Sequence, residues 1–335
     1  MDSEFLSCDW GTTSFRLRQV AGSERMVIRE IREPAGIKSL HEAATQNGAT
    51  SESARADVFA RFLSNKLEIL LAGQPVPERA HPLVISGMAS SSIGWRELAY
   101  AKVPFSLDGL SLRYEEIDWD MPSWVGPTFL ISGMATEHDI MRGEETEIIG
   151  LMSDPNLAAL RQSSLLILPG THSKHVWIEN DSVVDFRTFM TGELFEVLGR
   201  HSILRASVDP DAGPGGVLSD ADRTAFQEGV RWGADRGMAA ALFRVRTRAV
   251  LERRTLSDST WFMSGLLIGA ELEGVGRNAG NWPVMLGATR GLSDLYKLAL
   301  EIVAGPSTEW IQLPPDRAEQ AVIAAHSIFL KNISA

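Results

Sequence analysis

Cysteine is almost missing: Cys8 is the only one in 335 residues. That excludes an intrachain disulfide, a thiolate zinc site and two-cysteine redox chemistry, and it suits a reducing compartment. Basic charge is also short, with 32 lysines and arginines against 43 acidic residues and a formal net charge of −11. No run of lysine and arginine forms the clustered surface that binds a phosphate backbone, so no nucleic-acid partner is expected. No window approaches the eighteen or more apolar residues of a membrane span, and Met1-Asp2-Ser3-Glu4 lacks the basic start and apolar stretch of a signal peptide. The expectation is a cytoplasmic chain with no membrane association. Two nucleotide motifs are absent as well: there is no Gly-x-x-x-x-Gly-Lys-Ser/Thr, and Gly274-Val275-Gly276 lacks the setting and third glycine of a dinucleotide site.

What is there is the composition of a globular protein, 44% hydrophobic and 22% charged, at a length that favours two domains. Residues 5–8, 15–20 and 26–31 read as strand, turn, strand, strand, an alternating antiparallel arrangement at a sheet edge. Residues 51–71 read as a helix capped by Ser51 and ended by Gly73 and Pro75. Short apolar strands at 83–86 and 128–132 run into small polar loops. Residues 144–152 read as a helix, and 165–168, 175–178 and 183–186 as strands. The remainder is mostly helical, at 192–198, 222–245, 257–273, 292–302 and 316–331, with strands at 284–286 and near Trp310. The domain boundary is placed just before Leu165, giving domains 1–163 and 164–335.

Two strand-turn-strand units, near Asp9 to Ser14 and near Gly170 to Ser173, present glycine and hydroxyl residues at a chain reversal. Such turns can aim backbone N–H groups at phosphate oxygens, although any hairpin turn has the same look. Asp9 stands where a carboxylate could hold the magnesium that accompanies a nucleotide phosphate chain; a turn-initiating aspartate would read identically. Arg142-Gly143-Glu144-Glu145-Thr146-Glu147 puts three carboxylates in a first helical turn, where the helix dipole keeps them ionised and able to accept a proton, or where they simply stabilise the helix. His172 and His175 fall on opposite faces of a strand and lack a third ligand, so no transition-metal site is expected. With so acidic a chain an anionic ligand must be held locally, which singles out Arg142, Lys174 and Arg187 beside the glycine-rich loops.

Taken together, five blocks resemble the 2-dehydro-3-deoxygalactonokinase family, within the superfamily of sugar kinases, actin and the 70-kilodalton heat-shock chaperones. They are Asp9-Trp10-Gly11-Thr12-Thr13-Ser14-Phe15-Arg16, Met141-Arg142-Gly143-Glu144-Glu145-Thr146, Pro169-Gly170-Thr171-His172-Ser173-Lys174, Phe186-Arg187-Thr188-Phe189-Met190-Thr191-Gly192-Glu193-Leu194 and Ser264-Gly265-Leu266-Leu267-Ile268-Gly269-Ala270-Glu271. The resemblance implies an α/β fold of two ribonuclease-H-like (actin-like ATPase) domains, each a mixed five-stranded sheet with flanking helices, and an active site in the interdomain cleft. The implied reaction is ATP-dependent phosphorylation of 2-dehydro-3-deoxy-D-galactonate to its 6-phosphate in galactonate catabolism, with Mg2+ as cofactor.

By the same resemblance, Asp9 holds magnesium through water, and Gly11, Thr12 and Thr13 face the phosphates. Gly170, Thr171, His172 and Ser173 form the second phosphate loop, and Gly287 and Ala288 belong to the adenosine loop. Glu144 is the expected base, with Glu145 next. Ser90, Ser91 and Trp95 belong to the sugar-binding loop, the hydroxyls meeting polar groups and the indole a carbon face. Arg142, Lys174 and Arg187 are candidates for the substrate carboxylate, the arginines ranked first for their planar fork. A related kinase for another keto-deoxy acid or aldonate, and a non-catalytic ATP-binding switch of the actin type, are the alternatives. The expected partners are the sugar acid and ATP, and the sequence admits a homodimer.

Overall fold

The computed structural model describes residues 4–334, except residues 23, 50, 76, 78, 213–217, 279–281, 288–289, 306–309 and 315–316. The chain divides into two compact units: Met1–Ala159 with Asp181–Val184 and Arg317–Ala335, and Leu160–Asn180 with Asp185–Asp316. Both are α/β, each built on a mixed sheet with helices.

In the first unit the strands lie in the order Met26–Glu33, Phe15–Ala21, Phe5–Trp10, His81–Gly87, Val125–Ile131 and Tyr114–Glu116. The first three are antiparallel neighbours, Phe5–Trp10 runs parallel to His81–Gly87, and that strand runs parallel to Val125–Ile131. The hairpin of the sequence reading is there, but Phe5–Trp10 is interior to the sheet, and Met26–Glu33 takes the edge. An interior strand is covered on both faces, and Phe5–Trp10 is almost wholly buried. Tyr114–Glu116 adds a sixth strand to the five expected.

Helix Glu52–Leu71 begins where Ser51 Oγ accepts the Ala54 N–H at 3.2 Å. It covers one face of the sheet with Phe59, Leu63, Leu67 and Leu70, packed with Leu6, Cys8, Trp10 and Leu17. The last helix, Arg317–Ser334, serves the same unit. Its His326 is buried between two strand hydroxyls, with Ser7 Oγ 2.8 Å from Nδ1 and Ser86 Oγ 3.0 Å from Nε2. Gly150 of helix Glu144–Met152 lies directly on the backbone of Ala321, a closeness that any β-carbon would prevent. The chain's last segment therefore belongs to the first unit, where the expected 164–335 division put it in the second.

The second unit orders its strands Trp310–Gln312, Val284–Leu286, Ser163–Leu168, Ser173–Glu179 and Ser182–Phe189. Ser163–Leu168 is antiparallel to Ser173–Glu179 and parallel to Val284–Leu286, which is parallel to Trp310–Gln312. Counting main strands along the chain, both units show the order third, second, first, fourth, fifth. Residues 181–184 cluster with the first unit, where Ser182 and Val183 pair with Ser106 and Phe105.

Helix Leu256–Asn278 buries Trp261, Phe262, Met263, Leu266, Leu267 and Ile268, which fall all round its circumference, the mark of a helix inside a core. It lies backbone to backbone on helix Asp220–Arg236 through two reciprocal pairs of glycines four residues apart. Gly229 and Gly233 rest on the main chain of Phe262 and Leu266, and Gly265 and Gly269 on that of Phe226 and Val230. The single helix expected over 222–245 is broken at Gly237, whose φ of +72° no other residue adopts cheaply, and resumes as Met238–Ala241 and Phe243–Leu251. Among the described residues no helix is long and apolar enough to cross a membrane.

Candidate active site

In the first unit the site grows from the end of strand Phe5–Trp10. The Trp10 ring is fully buried against Phe15 and Phe59, and its Nε1 donates to Ala35 O at 3.1 Å, so the strand end is fixed. Asp9 is left partly exposed, and its Oδ2 accepts from Arg16 NH1 at 3.0 Å across the hairpin. The following turn is closed by Gly11 N donating to Ser14 O at 2.9 Å. It is gripped from outside by Ile37 N on Gly11 O at 3.0 Å and Lys38 N on Thr12 O at 3.1 Å. Gly36, just ahead of helix Ile37–Gln46, touches the main chain of Thr12 and Thr13 so closely that a β-carbon would overlap it. Neither the helix nor Gly36 has any role in the sequence reading, because a single loop glycine carries no periodic signal.

Two more glycines bring the acidic helix to this strand end. Gly87, at φ +92°, would place a β-carbon 2.7 Å from Trp10 O, and Gly143, at φ +108°, would place one 3.3 Å from Gly87 Cα. Helix Glu144–Met152 therefore starts beside the ends of strands Phe5–Trp10 and His81–Gly87. Glu144 is half-buried, and its Oε2 accepts from Arg142 N at 3.1 Å. Glu145, the second expected base, is fully buried and closes its own helix start: it accepts from Gly143 N at 2.7 Å and from Thr146 Oγ1 at 3.0 Å. Burial first, and the charge of Glu144 second, push its carboxyl up to about 8. It is thus a helix cap that holds a proton more tightly than an ordinary glutamate. Glu147 is pushed up to about 8 by burial and then by the charges of Glu144 and Asp9, against the opposing pull of Arg16. Asp9 and Glu144 thus crowd Glu147 with negative charge, which Arg16 opposes. Among the described residues no three histidine, cysteine, aspartate or glutamate side chains gather as a ready-made metal cage.

The loop after His81–Gly87 supplies Ser90 and Ser91. Ser90 Oγ accepts from Arg142 NH1 at 2.6 Å and donates to Gly87 O at 3.3 Å; Ser91 Oγ donates to Met88 O at 2.7 Å. Arg142 also donates to Leu98 O at 3.1 Å and stacks 4.1 Å over the Tyr100 ring. Arg142, an expected carboxylate ligand, thus clamps the loop that carries Ser90. Trp95 departs further: it is 4% exposed, packed edge-on against Trp119 within the core, because its large apolar ring gains more from burial there than from an open face.

The second unit repeats the turn. Gly170 N donates to Ser173 Oγ at 3.4 Å, while Gly192 and Glu193, at the start of helix Thr191–His201, grip the loop as Gly36 and Ile37 grip the first. Glu193 N donates to Thr171 O at 3.1 Å, and a β-carbon on Gly192 would fall 2.6 Å from Gly170 O. His172 Nε2 pairs with Glu193 Oε2 at 2.6 Å. Lys174 is buried and donates to His172 O at 3.1 Å; Arg187 is exposed, 5.2 Å over the Trp177 ring. Gly287 N donates to Ile167 O at 2.9 Å, and the expected Ala288 lies outside the described residues. Asp9, residues 11–13, Glu144, Ser90, Ser91 and Arg142 thus gather in one unit, and residues 170–173, Lys174, Arg187 and Gly287 in the other.

Residues 9–324 match the family model described as 2-keto-3-deoxy-galactonokinase. The chain is 33% identical, over 89% of its own length and 89% of the relative's, to the Rhizobium meliloti (strain 1021) protein named "Probable 2-dehydro-3-deoxygalactonokinase DgoK1". It is 30% identical to the 2-dehydro-3-deoxygalactonokinase of Escherichia coli (strain K12), over 81% of this chain and 80% of that protein. A crystal structure from Sinorhizobium meliloti, provisionally named a 2-dehydro-3-deoxygalactonokinase protein, superposes with a TM-score of 0.75 at 29% identity, covering 98% of this chain and 99% of the other.

Proposed function

The chain belongs to the 2-keto-3-deoxy-galactonokinase family, and from that premise we propose how its residues divide the work of phosphorylating 2-dehydro-3-deoxygalactonate. The protein is a sugar-acid kinase; the donor is ATP, the accepting oxygen is the terminal hydroxyl, and the product is the 6-phosphate. The two units are the paired ribonuclease-H-like domains of this kinase class, a reading supported by the strand order that both share. The single cysteine, buried and unpaired, supports a cytoplasmic location.

Glu144 is the base. The observation that carries this role is the stacking of Trp10, Gly87 and Gly143, which sets the first turn of helix Glu144–Met152 beside Asp9 and beside the hydroxyl-rich loop. Of the two adjacent glutamates, Glu145 is buried and closes its helix, while Glu144 keeps an accessible edge. As the substrate oxygen forms its bond to the transferred phosphorus and the bond to the departing diphosphate breaks, Glu144 accepts the hydroxyl proton. Asp9 would hold Mg2+, a hard cation that takes oxygen ligands, and the crowding of negative charge that raises Glu147 fits a cation there. When bound, Mg2+ neutralises charge on the phosphate oxygens. Residues 11–13 and 170–173 bind phosphate through their turns, each gripped by a glycine and a helix start. Arg142 shapes the sugar-acid loop through Ser90 and Leu98 O.

The test is Glu144→Gln in an ADP-release assay against the galactonate keto-acid, its gluconate epimer, aldonates and no sugar. Turnover is expected to fall by about 100-fold or more, with both KM values nearly unchanged, since loss of a general base costs on the order of 10²–10⁴ in rate. Near-normal turnover in a folded variant would remove Glu144 from the role.

A further inference from the structure

Buried in the second unit is a cluster of polar side chains that the mechanism leaves unused. Its hub is Glu271, near the end of helix Leu256–Asn278 and two residues past Gly269, whose missing side chain lets this helix rest on helix Asp220–Arg236. The Glu271 side chain is 1% exposed. Its Oε1 lies 3.0 Å from His175 Nε2, and its Oε2 accepts from Tyr296 OH at 2.7 Å and from Thr191 Oγ1. A carboxylate in such a place is costly unless donors surround it, and here three do.

The donors lead to one loop by two routes. Along the first, Glu271 can only accept, so the Tyr296 O–H points at it and the phenol oxygen is left to accept from Ser173 Oγ, 3.0 Å away. The lone pairs of Ser173 Oγ then face Gly170 N, which donates at 3.4 Å. One buried charge thus sets the direction of every hydrogen bond down to the loop backbone. Burial and the charge of Glu271 also push the Tyr296 hydroxyl well above its ordinary range, which keeps it a donor. Along the second route, Thr191 opens helix Thr191–His201, and its neighbours Gly192 and Glu193 touch Gly170 O and Thr171 O.

We infer that Glu271 is the positioning residue of the second phosphate loop, acting through Tyr296 and Thr191 to hold residues 170–173 in one shape; this rests on the reading of that loop as a phosphate cradle. A cluster that merely stabilised the core would, when damaged, lower the melting temperature and the active fraction and leave both KM values alone. A positioning residue moves the KM for ATP while the KM for the sugar acid stays still.

The experiment is steady-state kinetics on the full-length chain, varying ATP and the sugar acid in turn, with a thermal melt beside it. Glu271→Gln is expected to raise the KM for ATP about tenfold or more, the loss that goes with hydrogen bonds to a charged group, and to leave the sugar-acid KM within about twofold. Tyr296→Phe cuts only the first route and is expected to raise the KM for ATP about threefold to tenfold, which supplies the answer if Glu271→Gln does not fold. Gly170→Ala separates the two ideas, because it adds a methyl where, among the described residues and apart from its chain neighbours, nothing lies within 4 Å. If Gly170→Ala raises the KM for ATP and neither other variant does, Glu271 has no positioning role. If Gly170→Ala leaves it unchanged, the loop is no phosphate cradle, and the inference falls with that reading.

Discussion

Gly192→Ala sets two effects of opposite sign against each other at a site the structure defines closely. On an isolated helix the change should help, since alanine is favoured over glycine in a helix interior by about 1 kcal/mol. Here the new β-carbon would stand 2.6 Å from Gly170 O and 2.8 Å from Thr171 Cα, against an ordinary contact of 3.4 Å or more, so the backbones must part by nearly an ångström. Both obstructing atoms are main chain, and no rotamer change relieves them. Separation also lengthens the bond from Glu193 N to Thr171 O, now 3.1 Å. Overpacking costs about 1–3 kcal/mol, and a lost hydrogen bond about 1 more, so the net expectation is destabilisation of roughly 1–3 kcal/mol after the helix gain is subtracted. The functional effect should be larger, because a displacement on the order of 1 Å at a binding loop can cost about 100-fold in rate. Urea denaturation gives the first quantity, and kcat/KM for ATP in the ADP-release assay the second. A variant as stable as the parent, or more so, with unchanged kinetics would refute the argument that this glycine exists for the loop's backbone.

Three further outcomes are expected. Burial, helped by the charge of Arg18, holds His326 at a pKa of about 3 against an ordinary 6.5, so below pH 6.5 the unfolded chain takes up a proton that the folded one refuses. Stability is whole above 6.5 and lost as pH falls toward 3, at about 1.4 kcal/mol per pH unit. His326→Gln titrates in neither state, so urea curves should converge on acidification; a parallel pH dependence in both proteins would show that His326 is not the group responsible. Gly265→Ala drives a β-carbon into the main chain of Phe226 and should cost about 3 kcal/mol or more, overpacking plus a shifted helix pair; a melting temperature within a degree of the parent would contradict the backbone contact. Arg142→Met leaves Ser90 Oγ and Leu98 O without their donor, with an expected loss of about 2–3 kcal/mol and a raised KM for the sugar acid alone; a raised KM for ATP instead would place Arg142 elsewhere in the mechanism.

Local structure was legible wherever it is periodic. The strands Phe15–Ala21 and Met26–Glu33, helix Glu144–Met152 and the second turn at residues 169–173 stand where alternation, an acidic first turn and glycine with hydroxyls put them. Helix Ile37–Gln46 was not, since it has neither a capping side chain nor an acidic first turn, and only Ile37 and Ala44 are buried. The helix over 222–245 broke because Gly237 is indistinguishable in sequence from a tolerated helix glycine until its φ of +72° is seen. Among the candidate site residues, Asp9 and Glu144 were singled out by residue type and position, and the helix that begins at Glu144 starts beside the end of the strand that carries Asp9. Trp95 was misjudged, since a tryptophan in a polar loop reads the same whether it faces a ligand or folds back onto Trp119.

The sequence by itself determined the chemistry on offer: one cysteine, an acidic chain, two turns of glycine and hydroxyl residues, carboxylates at a helix start, and five blocks in a family's order. Tertiary structure alone decided which backbones touch. That Gly36 meets Thr12, Gly87 meets Trp10, Gly143 meets Gly87 and Gly192 meets Gly170 follows from strand order and helix placement, and no local pattern records it. It also decided that the last helix completes the first unit through His326, and that Glu271 reaches Tyr296 and Thr191. The physical reason is that periodicity encodes which face of an element is apolar, whereas a contact between residues far apart in the chain depends on how whole elements pack.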